Sequence, residues 1–258
     1  MKKFIYLALS LVSLLSFASC GDEDEKEESK VDIPEEVSSE DYATLSDLGL
    51  NYPFEGEVLV DLGLSVKWTS KNVGALNFYD NGYYFAWGET KPKDDYSSST
   101  SITINKSTTE LIDEGIIDNN GNLTFAYDAA TVKNVLYRTP TATEFRELAE
   151  NCDFYKMIII SGTGVKVNGN YVKSKINGNA IFLPSAGYRM GTYSIDGCCD
   201  YTISTVNQNF VKTFDRSYEY IVNRFSIISY EQFHLSHASI DEGQFRYFGF
   251  PIRAVENK

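Results

Sequence analysis

The residues with chemical reach are few and scattered. His234-x-x-His237 contains both histidines of the chain. With no Cys or Glu spaced to join them, they make a poor zinc set. Asp196, Asp200, Asp241 and Glu242 offer hard oxygens without the spacing of a calcium loop and read as solvated loop charges. Beyond Cys20 the chain has Cys152, Cys198 and Cys199, which allows one internal disulfide and leaves one thiol over. A bond between the adjacent Cys198 and Cys199 would be strained. A bridge from Cys152 to either is open, and Cys152 alone reads as a small core hydrophobe. The sequence has no Gly-x-Ser-x-Gly elbow, His-Glu-x-x-His helix or glycine-rich phosphate loop. No catalytic residue, metal set or cofactor is therefore expected.

Binding chemistry is better represented. In the run Tyr83-Tyr84-Phe85-Ala86-Trp87, alternation puts Tyr83, Phe85 and Trp87 on one face and Tyr84 and Ala86 on the other. Trp87 then meets Gly88-Glu89-Thr90 as the chain leaves the strand. Two readings follow: a core tryptophan before a turn, or an exposed ring beside the Glu89 carboxylate, which would suit a sugar. Arg189 has a planar fork for an anionic or hydroxyl-rich ligand, or for buried carbonyls together with Arg253. Tyr188, Arg189, Tyr193 and Tyr201 fall in residues 188–201, the loop expected to bind a ligand.

These side chains must be positioned by strands and turns, because long amphipathic helices are scarce. Gly164–Val167, Tyr171–Ile176 and Ala180–Leu183 are short strand-like runs, separated by Asn168-Gly169 and Asn177-Gly178. Asn-Gly takes the positive φ values of a type I′ turn, so a three-stranded meander ending at Pro184 is expected. Thr141-Ala142-Thr143-Glu144 has the form of a capping box. Phe145, Leu148, Ala149 and Cys152 follow at helical spacing, with Arg146 and Glu150 on the exposed side. A shorter helix is expected after Asp128, and Tyr96–Asn122 reads as a long polar loop. Short strands with few helices make the class α+β.

The N-terminal segment concerns location. Lys2 and Lys3 precede an apolar stretch from Phe4 to Leu15, too short to span a bilayer, and then Ser16-Phe17-Ala18-Ser19-Cys20. Residues 1–19 read as a secretory signal, and the cysteine after Ala18-Ser19 resembles the bacterial lipobox, in which it is acylated. Lipid on Cys20, palmitate included, would anchor the protein to a membrane. Residues 20–41 form an acidic tether. Between Gly21 and Asp41 eleven acids face only Lys26 and Lys30, about −9 of the chain's net −13. No basic face is left for nucleic acid. Residues 42–258 are long enough for a single domain.

Five segments carry a family resemblance. They are Val60-Asp61-Leu62-Gly63-Leu64-Ser65-Val66-Lys67-Trp68, Gly82–Thr90, Tyr137-Arg138-Thr139-Pro140-Thr141 with Glu144-Phe145, Ile181–Arg189, and Arg246–Arg253. Their order and spacing resemble the Fibrobacter succinogenes major paralogous domain of Bacteroidota surface lipoproteins, over most of residues 58–255. The resemblance implies a C-type-lectin-like fold related to the sulfatase-modifying-factor group, and recognition at the cell surface without a shared ligand. The acidic run after Cys20 also resembles the export signal of such lipoproteins, so an outer-membrane protein facing the exterior is expected. The chain departs from the family at Tyr137, where Trp is usual, and at Tyr201-Thr202-Ile203-Ser204 in place of Tyr-Trp-Ser-Ser. The Glu-Pro-Asn and Trp-Asn-Asp elements of calcium-dependent sugar-binding lectins are absent. Formylglycine-generating relatives use a spaced cysteine pair, unlike the adjacent Cys198 and Cys199. The expected function is a non-catalytic module for a glycan or a surface or host protein. The alternative is an accessory subunit of a pilus tip or nutrient-uptake assembly, with a redox enzyme third.

Overall fold

A computed structural model describes residues 58–160, 166–206, 221–229, 236–239 and 243–258. The leader, Cys20, the acidic tether, His234, Asp241 and Glu242 lie outside the described residues. Among the described residues no helix is long and apolar enough to cross a membrane.

The chain opens with β1 (Leu59–Val60), β2 (Trp68–Asn72) and β3 (Tyr84–Phe85). Two short helices follow, α1 (Thr108–Asp113) and α2 (Ala129–Lys133), then β4 (Tyr137–Arg138) and α3 (Ala142–Asn151). Next come β5 (Cys152–Ile160), β6 (Lys166–Ser174), β7 (Ala180–Pro184), β8 (Tyr188–Met190), β9 (Tyr193–Ile195) and β10 (Cys199–Val206). The described chain ends with β11 (Ile221–Ser229), β12 (Ser236–Ser239), β13 (Gly243–Phe245), β14 (Phe250–Pro251) and β15 (Arg253–Glu256). The class is α+β, with antiparallel pairing between the strands.

The first and last described strands share a sheet. One sheet runs β1-β2-β15-β4, and β14 pairs β3 alongside it. The strands β5-β6-β7 form a second sheet, β10-β11-β12 with β13 a third, and β8-β9 a hairpin. The main core lies between α3 and the sheets. Phe145 and Leu148 are fully buried against Trp68, Val172, Ile181, Leu183, Tyr201 and Val255. The Trp68 and Phe145 rings meet edge to face at 5.0 Å. Full burial of one such side chain contributes about 2–3 kcal/mol, enough to hold a ten-residue helix that would be marginal alone.

The capping box on α3 is present: Thr141 accepts from the Glu144 amide, and Glu144 accepts from the Thr141 amide. Glu144 also grips Arg138 of β4, with Arg138 Nη1 donating to Oε2 at 2.8 Å. Burial alone would raise the Glu144 carboxyl, but the bonds from Arg138 and Thr141 outweigh it and hold the group below its ordinary value of 4.5. A depressed carboxyl gives stability that is present above its unfolded value and lost as pH falls through the folded one. Glu144→Gln should therefore cost about 1–2 kcal/mol near neutrality. It should also flatten the loss of stability below about pH 4.5. Urea melts of both proteins across that range check the sign.

Three expectations change. Asn168-Gly169 is not a turn. β6 runs straight through it, and Gly169 lies opposite Pro184 in the β6–β7 ladder. A Cβ on Gly169 would sit 2.2 Å from the Phe182 ring and 2.6 Å from the Leu183 carbonyl, so close approach accounts for the glycine. A turn does form at Asn177-Gly178, but it is a five-residue loop in which only Gly178 takes a positive φ, +79°, and not the expected type I′ turn. Second, Tyr96–Asn122 is not only a loop. Ser107 and Glu110 form a capping box for α1, which buries Leu111 beside Ile116, Ile117 and Trp87. Third, Cys152 caps α3 and begins β5; it is buried, but in the strand.

Candidate functional site

A cleft of about 600 Å³ opens between four segments brought together from distant parts of the chain. One wall is the loop from Gly74 to Gly82, between β2 and β3. The other is built from Val167 and Asn168 of β6, Ser185 after β7, and Asp196-Gly197 between β9 and β10.

The loop is held at several points. The Tyr83 amide donates to the Val73 carbonyl at 2.9 Å, closing its base. Phe78 turns inward against Phe182, with ring centroids 6.0 Å apart. The Asp80 Oδ2 accepts from the Asn77 amide at 2.7 Å and from its side chain at 3.0 Å. Lys71 Nζ donates to the Leu76 carbonyl. Gly82 has φ +72°, and a Cβ there would meet the Val73 carbonyl at 2.6 Å. Asp80-Asn81-Gly82 is the turn signal that could have marked this loop, which the sequence reading passed over. Leu76 projects from it, 82% exposed, with Tyr79 half-buried nearby.

The opposite wall hangs on the β8–β9 hairpin. Arg189 and Gly249 exchange backbone hydrogen bonds at 2.8 and 2.9 Å, and Tyr96 and Gly191 do so at 2.7 and 2.9 Å. Within the hairpin, Tyr188 and Met190 share one face with their cross-strand partners Ile195 and Tyr193, and Arg189 takes the other. The Arg189 guanidinium lies 3.9 Å from the centre of the Tyr84 ring and 3.5 Å from Asp196 Oδ1. Cation–π stacking and the ion pair together fix Asp196 at the cleft while leaving its carboxylate largely exposed. Burial of Tyr84 pushes its phenol up, so the ring stays neutral beneath the cation.

Of the residues expected to bind, Arg189 is not in the lining but pairs with Asp196, which is, and Tyr193 is exposed at the hairpin tip. Tyr188 is half-buried, stacked against Phe248 at 5.6 Å and tilted on Phe250 at 5.4 Å. Of the two readings of Trp87 the core one holds, and the expectations for Glu89 and Tyr201 are corrected. Trp87 is a core tryptophan, packed on Leu111 and Ile116, and its indole N–H donates to the Ile203 carbonyl at 3.1 Å. Glu89 is bound internally to Lys93 and accepts from the Ile102 amide. Tyr201 is fully buried, donating to the Pro184 carbonyl at 2.9 Å, and desolvation drives its phenol far upward. Asp200, read as a loop charge, is buried in β10, whereas Asp196 is exposed.

Burial governs the thiols. Cys152, Cys198 and Cys199 carry thiols rather than disulfides. Burial pushes Cys152 up to about 12 and raises Cys199 further, so neither supplies a thiolate near neutrality.

The cleft gathers carboxylate, amide and hydroxyl groups around an exposed aliphatic side chain and a half-buried tyrosine. Such a set holds a ligand by hydrogen bonds and apolar contact. No protein-family model matches the sequence, and no curated protein or solved structure is significantly similar to it.

Proposed function

We propose that this chain is a lipid-anchored cell-surface protein whose C-type-lectin-like domain recognises a glycan or protein ligand without catalysis, and that the cleft at Gly74–Gly82 and Asp196 is its site. The observation that carries the reading is that cleft, where polar groups from four segments converge around Leu76 and Tyr79. The five segments that resemble the major paralogous domain support the fold, and the run ending at Cys20 supports the anchor. Leu76, though 82% exposed, is held out by a loop bonded at both ends, which favours a surface built for contact.

A glycan array probed with the purified protein tests this. The expected result is a defined set of hits, weakened about tenfold by Leu76→Ala combined with Asp196→Ala, with an unchanged melting temperature. Hits that ignore both substitutions would move the site elsewhere.

One observation favours the accessory-subunit reading. Val135 and Leu136 are 61% and 63% exposed and lead directly into β4, an edge strand of its sheet. A blank array from folded protein would favour that surface and a protein partner.

A further inference from the structure

The charges around the cleft narrow its ligand. Resting on the recognition reading above, we infer that the cleft prefers a sugar carrying a protonated amine over its neutral or anionic counterpart. Asp80 and Asp196 are the charged residues of the lining. On Asp80, Oδ2 takes both Asn77 bonds, which leaves Oδ1 without a hydrogen-bond partner among the described residues. On Asp196, Oδ1 faces Arg189 and the carboxylate is 76% exposed. Each wall thus presents a carboxylate oxygen able to accept from an ammonium group.

Among the described side chains, two cations near the cleft are already engaged. Lys71 holds the Leu76 carbonyl, and Arg189 sits on the Tyr84 ring. Arg189 offsets part of the Asp196 charge, so the pull on a bound amine comes chiefly from Asp80. Asp196 is exposed and Asp80 half-buried, so solvent still screens both and limits the preference to about fivefold. The same two carboxylates disfavour uronates and sialylated glycans at low salt through like-charge repulsion. Leu76 and Tyr79 provide apolar contact for the C–H face of the ring, and Asn81, Asn168 and Ser185 supply partners for its hydroxyls.

The test compares tetra-glucosamine with tetra-N-acetylglucosamine by calorimetry on the full chain, at a pH where the free amines are protonated. The two probes share ring, linkage and length. Tetra-glucosamine should bind about fivefold tighter at low salt. The advantage should fade at about 0.5 M salt, where exposed charges are screened. Asp80→Asn, an isosteric change, should bring the ratio of the two affinities close to one. Should that variant fold poorly, the salt series on the unaltered protein tests the same dependence on charge. Equal affinities, a preference for the N-acetylated probe, a ratio insensitive to salt, or no binding of either probe would each overturn the inference. Binding of only the N-acetylated probe would leave the recognition reading standing while removing the amine preference.

Discussion

Arg253→Ala should be the most damaging single substitution in the described chain, lowering stability by about 3–5 kcal/mol. The guanidinium is fully buried. Its Nε donates to Asn72 Oδ1 at 2.9 Å, Nη1 to the Thr69 carbonyl at 3.1 Å, and Nη2 to the Phe182 carbonyl at 2.7 Å. One side chain thereby ties β2, β7 and β15, and it also hydrogen-bonds the buried Tyr201 hydroxyl. Burying the cation is costly, and truncation to Ala relieves that cost. It also strips donors from three buried acceptors, at about 1–3 kcal/mol each, and leaves a cavity. The second effect wins. At about 2–4 °C per kcal/mol for a chain of this size, the melting temperature should fall by about 10 °C. Arg253→Lys should recover only part of the loss, since an ammonium lacks the planar fork that reaches three acceptors. Thermal melts of both variants check this, and a fall of only a degree or two in Arg253→Ala would mean the network is not what joins the sheets.

The network also shows which parts of the fold can be read from sequence. Local patterns read well where one segment carries its own instructions. The Thr141–Glu144 box and the apolar spacing of Phe145 and Leu148 each produce the expected element, and Asn177-Gly178 marks a turn though not its type. Contacts between distant segments are a separate matter: Trp68 packs on Phe145 and Ile181, Phe250 pairs Phe85, and Arg189 bonds Gly249. Reading failed where a residue's role is set by a distant partner. Asn168-Gly169 has the form of a turn, but Gly169 is needed in mid-strand because Phe182 crosses it. Trp87 has a turn after it in either reading, and only the helix at Leu111, hidden in a polar stretch, decides that its ring is covered. The cleft was illegible for the same reason. Asp80, Asn168 and Asp196 are far apart along the chain, and no local pattern says they meet.

Gly187→Ala should show how tightly that cleft depends on the backbone behind it. Gly187 begins the turn into β8, with its amide donating to the Cys198 carbonyl at 2.8 Å. Its φ is +65°, a conformation that costs an L-residue about 1–2 kcal/mol. The larger effect is steric. A Cβ there would lie 1.8 Å from the Ile195 carbonyl oxygen and 2.9 Å from the Asp196 Cα, both of them backbone atoms that no rotamer change can move. Relief requires the end of β9 to shift, and Asp196 must move with it. The shift would pull Asp196 away from Arg189, which is held separately by Gly249 and by the Tyr84 ring. Gly187→Ala should therefore lower stability by about 2–4 kcal/mol. It should also weaken any glycan bound in the cleft by at least about tenfold. Gly178→Ala is the matched control. Its φ of +79° carries a similar conformational cost, but a Cβ there meets nothing within 4 Å, and its turn does not line the cleft. That variant should lose about 1 kcal/mol and keep full binding. Melting and array binding of the two variants side by side separate backbone strain from displacement of the site. If Gly187→Ala melts with Gly178→Ala and keeps every hit, Asp196 is not positioned by the hairpin, and the cleft is not the place where the ligand is held.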